Sequence, residues 1–206
     1  MQESTVRARG KYGSFAELAR HEIAGTDYRV EIVERANAPV LVAAPHGGLI
    51  EAGTSQIAAA IAGDDFHLFN FEGLKPHGEN RALHITSHRF DHPRCLELAS
   101  RSDLVLGVHG CIGESCIHIG GLDEALTARL AAELSAAAFN VVWPSGRYPG
   151  RHPANICNRG SSAMGAQLEI TYDLRMSGLQ GEIARAVRTA LASVRRPPRS
   201  ANLVAG

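Results

Sequence analysis

Two histidines and a glutamate lie beside strand-like apolar segments at spacings that suit a catalytic metal. His46 comes just after the apolar residues 40–44, and Glu51 follows it five residues later, with two glycines between. His109 ends a second apolar segment, residues 104–108. Ligands gather at the carboxyl ends of parallel strands, and glycine permits a tight turn that returns Glu51 toward His46. Two imidazoles and a carboxylate leave zinc one open position for water, although each histidine taken singly is more often structural.

A second carboxylate lies inside a strand-like segment. Glu169 stands between Leu168 and Ile170, so alternation along a strand turns it to the face opposite these two apolar side chains. A buried carboxylate must be paired, hydrated or close to a metal, because burying it alone is costly. One interpretation is a buried salt bridge to an arginine. The other is a general base that takes a proton from water and delivers it to a leaving amine.

A rival metal site lies between His109 and His118, where Cys111 and Cys116 are placed symmetrically about a possible hairpin turn. Residues two apart share a strand face, so these four could form a closed zinc site, or the two cysteines a disulfide. The spacing matches no known zinc-finger pattern, and a closed site leaves no position for catalytic water. Reduced thiols are the expectation for all four cysteines of a cytosolic chain.

The segments that position these residues alternate between strand and helix patterns. This alternation predicts a single three-layer α/β domain over residues 1–194, with a mixed, mostly parallel sheet flanked by helices. A loosely held arm to about Tyr12, a long loop over 144–165 that is either functional or disordered, and a disordered tail over 195–206 complete the prediction. The predicted strands are 28–33, 40–44, 66–71, 81–86, 104–108, 115–119, 139–143 and 166–171, and the predicted helices are a short one after Ser14, then 54–62, 93–100, 123–138 and 179–194.

Composition argues against several classes of function. The 206-residue chain carries 21 Lys and Arg and 21 Asp and Glu, a formal net charge of zero, whereas a general nucleic-acid-binding surface carries a basic excess. No apolar stretch reaches the ~20 residues that a membrane span needs. The start of the chain lacks a signal-peptide apolar region, so we expect a cytoplasmic protein with no nucleic-acid or membrane partner.

Five motifs occur in one order along the chain. They are Pro45-His46-Gly47-Gly48-Leu49-Ile50-Glu51-Ala52-Gly53-Thr54-Ser55, Leu83-His84-Ile85-Thr86-Ser87, Val108-His109-Gly110, Asn155-Ile156-Cys157-Asn158-Arg159 and Gln167-Leu168-Glu169-Ile170. Together they resemble the poly-γ-glutamate hydrolase family, and the resemblance runs from about residue 12 to residue 194.

The resemblance implies a mixed-sheet α/β fold related to the zinc carboxypeptidases, with one zinc ion per chain. The family's ligand pattern corresponds to His46, Glu51 and His109, and its catalytic glutamate corresponds to Glu169. The chain departs from the family at His92, where an acidic residue is expected before the proline. That difference puts any role of position 92 in doubt but does not touch the predicted metal ligands.

The implied substrate of linked glutamates carries many free carboxylates, which arginine can grip in bidentate fashion. Arg159 beside Asn158 is the first candidate for binding them, and Arg81 beside Asn80 is the second. A solvated surface charge is the alternative for each arginine. His84 and His88 are predicted to pack or form hydrogen bonds near the site without binding the metal.

These residues support one leading hypothesis and two alternatives. The leading hypothesis is zinc-dependent hydrolysis of γ-glutamyl amide bonds by metal-activated water with Glu169 as general base. The first alternative is an N-acyl-amino-acid amidohydrolase or deacylase that uses the same zinc site. The second is a non-catalytic binding module for polyanionic peptides, with the metal structural or absent.

Overall fold

The computed structural model describes residues 10–192, which build one mixed sheet with helices on both faces. Short 3-10 turns occur at Asn80–Leu83, Ser87–Arg89 and Ile156–Asn158. The strands are β1 (Tyr28–Val33), β2 (Val40–Gly48), β3 (His67–Gly73), β4 (Leu104–Cys111), β5 (Ile117–Gly121), β6 (Val141–Val142) and β7 (Ala166–Thr171), and the helices are α1 (Phe15–Leu18), α2 (Thr54–Ala62), α3 (Pro93–Arg101), α4 (Glu124–Ala136), α5 (Tyr172–Met176) and α6 (Gln180–Leu191).

Within these residues the seven strands lie in the order β1-β3-β2-β4-β7-β5-β6. The four central strands β3, β2, β4 and β7 run parallel, whereas β1 and β5 are antiparallel to the neighbours that join them to this centre. The strand β6 adds to the edge in parallel with β5. The predicted mixed, mostly parallel α/β sheet is therefore confirmed.

Each face of the sheet buries a separate apolar core. Val42, Leu106 and Leu168 face the helices α2, α4 and α6. Leu41 and Val105, which alternate with them along the strands, face α1, α3 and irregular segments. The central strands are almost continuously apolar because both of their faces are buried. The sheet, with helices and irregular segments on either side, forms the predicted three layers.

Segment 81–86 was predicted as a strand, and this prediction is wrong. Leu83 and Ile85 are both fully buried against the second face of the sheet, so their alternation imitates that of a strand. The chain turns here because the Asn80 side chain exchanges hydrogen bonds with the backbone of Lys75 and donates to the carbonyl of Pro76. The result is a 3-10 turn followed by an irregular segment that lies over the sheet.

The possible hairpin turn between Cys111 and Cys116 does not form. The strand β7 lies between β4 and β5, so the chain crosses over one strand where a hairpin would return directly. Thr171 of β7 lies between the two cysteines. It pairs with Cys111 of β4 on one side, and on the other side its N–H donates to the Cys116 carbonyl. Two strand spacings, about 10 Å, separate the cysteine backbones. A Cys111–Cys116 disulfide needs a separation under about 7 Å and is excluded here, and both thiols are free.

The N-terminal arm is more firmly held than predicted at its described end. Tyr12 is buried, and its hydroxyl donates a hydrogen bond to the Glu22 carboxylate. Residues 1–9, the end of the predicted closing helix at 193–194 and the predicted disordered tail 195–206 lie outside the described residues. Among residues 10–192, no helix combines the length and the apolar character needed to cross a bilayer.

His92, the position that departs from the family pattern, is part of the second core. Its ring lies 4.3 Å from that of Phe15 and 5.1 Å from that of Phe69, centroid to centroid. Burial lowers the pKa of His92, and Arg94 adds to this effect while Asp91 opposes it. The acidic neighbour Asp91 accepts a hydrogen bond from the Phe15 backbone N–H. The imidazole is thus a neutral core side chain.

We expect this histidine to make folding sensitive to acid. Because its folded pKa lies below the unfolded value of about 6.5, its neutral form is fully favoured above that pH. Stability then falls as pH drops below about 6.5, by at most about 1.4 kcal/mol per pH unit until the folded pKa is passed. Urea unfolding at pH 8.0 and pH 5.5 should show a smaller loss in His92→Phe than in the unchanged protein. An equal loss in both proteins would contradict this expectation.

Candidate metal centre and active-site cleft

Three adjacent parallel strands bring the predicted metal and base residues to one edge of the sheet. His46 lies near the end of β2, His109 near the end of β4, and Glu169 near the end of β7. His109 and Glu169 are register partners, so their strands place them about 4.8 Å apart. All three positions are more than nine-tenths buried.

An irregularity in β2 turns His46 toward the other two residues. Ala44 pairs with Asn70, but Gly47 pairs with Glu72, so β2 holds one extra residue between these pairs. Strict alternation would place His46 on the face of Ala44, which belongs to the first core. The extra residue reverses the alternation, as a β-bulge does, and His46 joins His109 and Glu169 on the second face.

Glu51 returns to this site through a tight turn. The Glu51 N–H donates to the His46 carbonyl at 2.8 Å, which closes the turn that the glycines predicted. Gly48 has a φ of +61°, and a Cβ there would overlap the Gly73 carbonyl of β3. A side chain at position 48 would therefore open the turn.

The donor atoms of His46, Glu51 and His109 form a triangle. The two Nδ1 atoms lie 3.1 Å apart, and the Glu51 Oε2 lies 3.4 Å from that of His46 and 3.9 Å from that of His109. Ligand atoms around a tetrahedral zinc, at bonds of about 2.0–2.1 Å, stand about 3.3 Å apart. The triangle therefore fits such an ion and leaves a fourth position for another ligand.

The irregular segment over the sheet orients both imidazoles. The Nε2 of His46 lies 2.6 Å from the Ile85 carbonyl. A carbonyl only accepts, so this Nε2 carries the proton and the Nδ1 lone pair faces the triangle. The Nε2 of His109 lies 3.2 Å from the Ser87 hydroxyl. Such outer contacts fix ring orientation and tautomer in metal sites.

Electrostatics keep Glu51 ionised. Burial alone would raise the pKa of this carboxyl, but the contacts with His46, His84 and His109 hold it well below its usual range. The Gly110 N–H also donates to Oε2 at 2.7 Å. The pKa of His46 is in turn raised, because the Glu51 carboxylate and the Ile85 carbonyl outweigh the effect of burial.

His84 provides a second group of potential ligands with His46 and Glu51. The donor atoms of these three residues all lie within 4.8 Å of one another. The His84 ring stacks on that of His46 at 3.9 Å, and its Nε2 lies 3.6 Å from Oε1 of Glu51. His84 therefore faces the carboxylate oxygen that points away from the triangle. The shorter distances in the His109 triangle favour it as the metal group, with His84 orienting the carboxylate.

The predicted substrate-binding asparagines serve their own loops. Asn80 bonds the backbone of residues 75 and 76, and the amide nitrogen of Asn158 donates to the Gly150 and His152 carbonyls. Their neighbours differ in position. Arg81 is exposed and lies three residues before His84. Shortly after Arg159, the backbone N–H groups of residues 161 and 162 donate to the carbonyls of Ser102 and Asp103, just before β4.

Arg159 and the metal group are thus at opposite ends of one strand. His109 lies five residues beyond Leu104, the first residue of β4, or roughly 17 Å at about 3.3 Å per residue. The structure does not bring Arg159 to the triangle. The sequence pattern Asn-Arg carried no information about which end of the sheet the loop would cross.

One buried residue at the site was missed. Arg175, in α5, is 4% exposed and reaches the backbone around Glu51 and Gly110. Its sequence context, Tyr172–Met176, shows no apolar periodicity that distinguishes it from a solvated arginine. No local signal reveals it, because two of its three backbone partners, Ala52 and Cys111, come from distant segments.

Comparison with known proteins agrees with this geometry. The sequence model of the family described as poly-gamma-glutamate hydrolase matches residues 12–190. The UPF0714 protein YndL of Bacillus subtilis (strain 168) is 37% identical over 177 residues, which cover 84% of this chain and 69% of YndL.

Solved structures show the same relationship. A bacteriophage poly-gamma-glutamate hydrolase superposes with a TM-score of 0.83 at 27% identity, covering 90% of this chain and 98% of that one. YndL in a zinc-free apo form superposes with a TM-score of 0.84 at 31% identity, covering 91% and 100%. A carboxypeptidase A-like protein from Shewanella denitrificans OS-217 shares the fold at 14% identity, with a TM-score of 0.53 over 80% of this chain and 60% of that one.

Metal analysis tests the triangle directly. We expect about one zinc per chain in protein purified with zinc, and loss of most of it in His46→Ala and in His109→Ala, because each variant leaves two donors. His118→Ala is the matched control, since the His118 ring contacts Cys116 and Ser145 rather than the triangle, so its loss should leave the metal content unchanged. Retention of zinc in His46→Ala with loss in His118→Ala would contradict the assignment.

Proposed function

The chain belongs to the poly-gamma-glutamate hydrolase family, and we propose that it hydrolyses γ-glutamyl amide bonds with one zinc ion per chain. His46, Glu51 and His109 would hold the ion, and Glu169 would act as the general base. The single observation that carries this proposal is the register of His109 with Glu169 beside a three-donor triangle. Ligand and base stand on neighbouring strands, within reach of one water molecule.

The residues divide the reaction between them. A bound zinc ion supplies Lewis acidity, which polarises a carbonyl and lowers the pKa of water. The Glu169 carboxylate accepts a proton from the attacking water, whose oxygen forms the new bond to the carbonyl carbon. Glu169 then returns the proton to the amide nitrogen as the carbon–nitrogen bond breaks, which releases a carboxylic acid and an amine.

Charge around the cleft suits an anionic substrate. Residues 134–168 contain no aspartate or glutamate, although they include three arginines and His152. The part of this stretch between β6 and β7 meets the segment over the sheet, where the rings of His152 and His88 lie 4.8 Å apart. Exposed cations such as Arg81 and Arg147 on these two segments would attract an anionic chain.

We propose Arg81 as the first contact for a substrate carboxylate. It is exposed and lies three residues before His84, which stacks on the ligand His46. The assignment of Arg159, Asn158 and Asn80 to substrate binding stays a prediction. Their described contacts support a role in holding loops.

Two alternatives remain distinct in what they would cleave or bind. An N-acyl-amino-acid amidohydrolase would use the same metal and base but prefer a short substrate with one free carboxylate. A binding module would retain polyanionic peptides without cleaving them. The buried carboxylate of Glu169 beside the donor triangle favours a hydrolase over the binding module, because a binding surface has no use for a base in that position.

Glu169→Gln tests the base. The amide keeps the shape of the side chain but cannot take a proton, so we expect kcat on a γ-glutamyl oligomer to fall about 10²–10⁴-fold. Zinc content and KM should change little. Glu22→Gln, which alters another buried carboxyl bonded to Lys75 and Tyr12, should leave kcat near that of the unchanged protein.

Two results would weigh against the base assignment. Equal kcat in Glu169→Gln and the unchanged protein would remove Glu169 from the chemistry. Tight polymer binding with no cleavage by either protein, even when loaded with zinc, would favour the binding module.

Arg81→Ala tests recognition of the polymer. An exposed ionic contact is worth about 0.5–1 kcal/mol, so KM for poly-γ-glutamate should rise about two- to fivefold at low salt, with kcat retained. Arg94→Ala is the control. This exposed arginine of α3 already pairs with Glu97 of the same helix and with Glu34. A short N-acyl amino acid cleaved faster than the polymer would favour the amidohydrolase alternative.

A further inference from the structure

Arg175 is a buried arginine whose guanidinium bonds only to backbone among its described hydrogen bonds. Its Nε donates to the Ile170 carbonyl at 3.0 Å, its Nη1 to the Ala52 carbonyl, and its Nη2 to the Cys111 carbonyl at 3.5 Å. These carbonyls belong to β7, to the turn after β2, and to β4. One side chain therefore links three segments that are distant in sequence.

Each accepting carbonyl stands just beyond a proposed functional residue. Ala52, whose carbonyl accepts from Nη1, is the residue after Glu51. Ile170, whose carbonyl accepts from Nε, is the residue after Glu169. The carbonyl that accepts from Nη2 follows His109 by two. The guanidinium thus bonds the backbone one or two residues beyond Glu51, Glu169 and His109, while His46 is held separately by Ile85.

Gly110 transmits the contact to the metal group. Its N–H donates to the Glu51 Oε2, and its α-carbon lies so close to the guanidinium that a Cβ at this position would overlap the Arg175 Cζ. Glycine after His109 therefore has a structural reason. It allows the arginine to sit directly behind the residue that holds the ligand carboxylate.

The charge of Arg175 also suits this place. Burial lowers the pKa of its guanidinium, and the carboxylates of Glu51 and Glu169 oppose that effect, so the group stays positively charged. A buried charge is tolerated when opposite charges and hydrogen bonds compensate it. Here the guanidinium offsets part of the negative charge of the proposed ligand and the proposed base.

We propose that Arg175 is the positioning residue that sets the mutual placement of Glu51, His109 and Glu169. This proposal rests on the proposed function, because it takes Glu51 and His109 as metal ligands and Glu169 as the base. A lysine cannot take over the role, because three simultaneous bonds to separated carbonyls need the planar fork of a guanidinium. Arg175 acts through its bonds to these backbone carbonyls and through its charge, and it donates none of its described hydrogen bonds to a side chain of the triangle.

The test compares Arg175→Lys with Arg188→Lys. Arg188, in α6, is the matched control, because it too donates to backbone carbonyls, those of Ile61 at 2.8 Å and Ala62 at 3.2 Å, and pairs with Asp65. Those partners lie at the end of α2, remote from the metal group. Both variants lose arginine bonds to carbonyls, but only one loses bonds at the site.

Zinc affinity and backbone protection are the primary measurements. Affinity is measured by competition for zinc with a chromophoric chelator, and amide hydrogen exchange is measured on metal-free protein. We expect Arg175→Lys to weaken zinc binding about 10–100-fold, the usual effect of losing an outer partner of a metal site. Exchange in residues 49–54 and at Gly110 should become faster, and kcat should fall more than KM rises. Arg188→Lys should match the unchanged protein in affinity and in exchange at these residues.

The proposal is overturned if Arg175→Lys loses thermal stability alone and keeps the zinc affinity and exchange rates of the unchanged protein. Should that variant not fold, Gly110→Ala displaces the guanidinium without deleting it, and the same two measurements apply. Weakened zinc binding in a protein that cleaves no γ-glutamyl substrate would uphold the role of Arg175 while contradicting the proposed function.

Discussion

The close approach of two imidazole nitrogens and a carboxylate oxygen in a buried position is the constraint on which this structure depends. Three electron-rich atoms within 3.9 Å of one another repel unless a cation or a proton lies among them. Each group must also be removed from water, which is costly for a carboxylate. The surrounding segments offset that cost: His46 donates to the Ile85 carbonyl, the Gly110 N–H donates to Glu51, and the Ser87 hydroxyl contacts His109.

The two faces of the sheet are covered in different ways. Three helices cover the first face with apolar side chains, and that core carries the stability of the central strands. The second face is covered mainly by α3 and by irregular segments, whose free carbonyls and hydroxyls can orient histidines. Loops positioned by a rigid sheet commonly carry function for this reason. The chemistry therefore stands where the covering is irregular, at the carboxyl edge of parallel strands.

The parts of the site differ in how they limit its function. In the proposed function the triangle and Glu169 would supply hydrolytic chemistry that suits several amide substrates. The absence of acidic residues from the stretch 134–168 and the exposed arginines within it are what favour an anionic chain as the proposed substrate. Substrate choice and catalytic chemistry thus lie on separate segments, and a change in the loops could alter the first without disturbing the second.

The class of fold and the candidate site residues can be inferred from the sequence alone. Apolar periodicity predicts all seven described strands and the long helices, because burial on one or both faces leaves a regular pattern in the chain. Motif spacing singles out His46, Glu51, His109 and Glu169.

How these residues meet depends on the tertiary structure. The bulge in β2 that turns His46, the insertion of β7 between β4 and β5, the position of Arg159 at the far end of β4 and the burial of Arg175 all depend on contacts between segments far apart in sequence. Local periodicity reports which face a residue takes relative to its own neighbours. It carries no information about which strand lies alongside or which distant carbonyl accepts a hydrogen bond, and those pairings decide the geometry of the site.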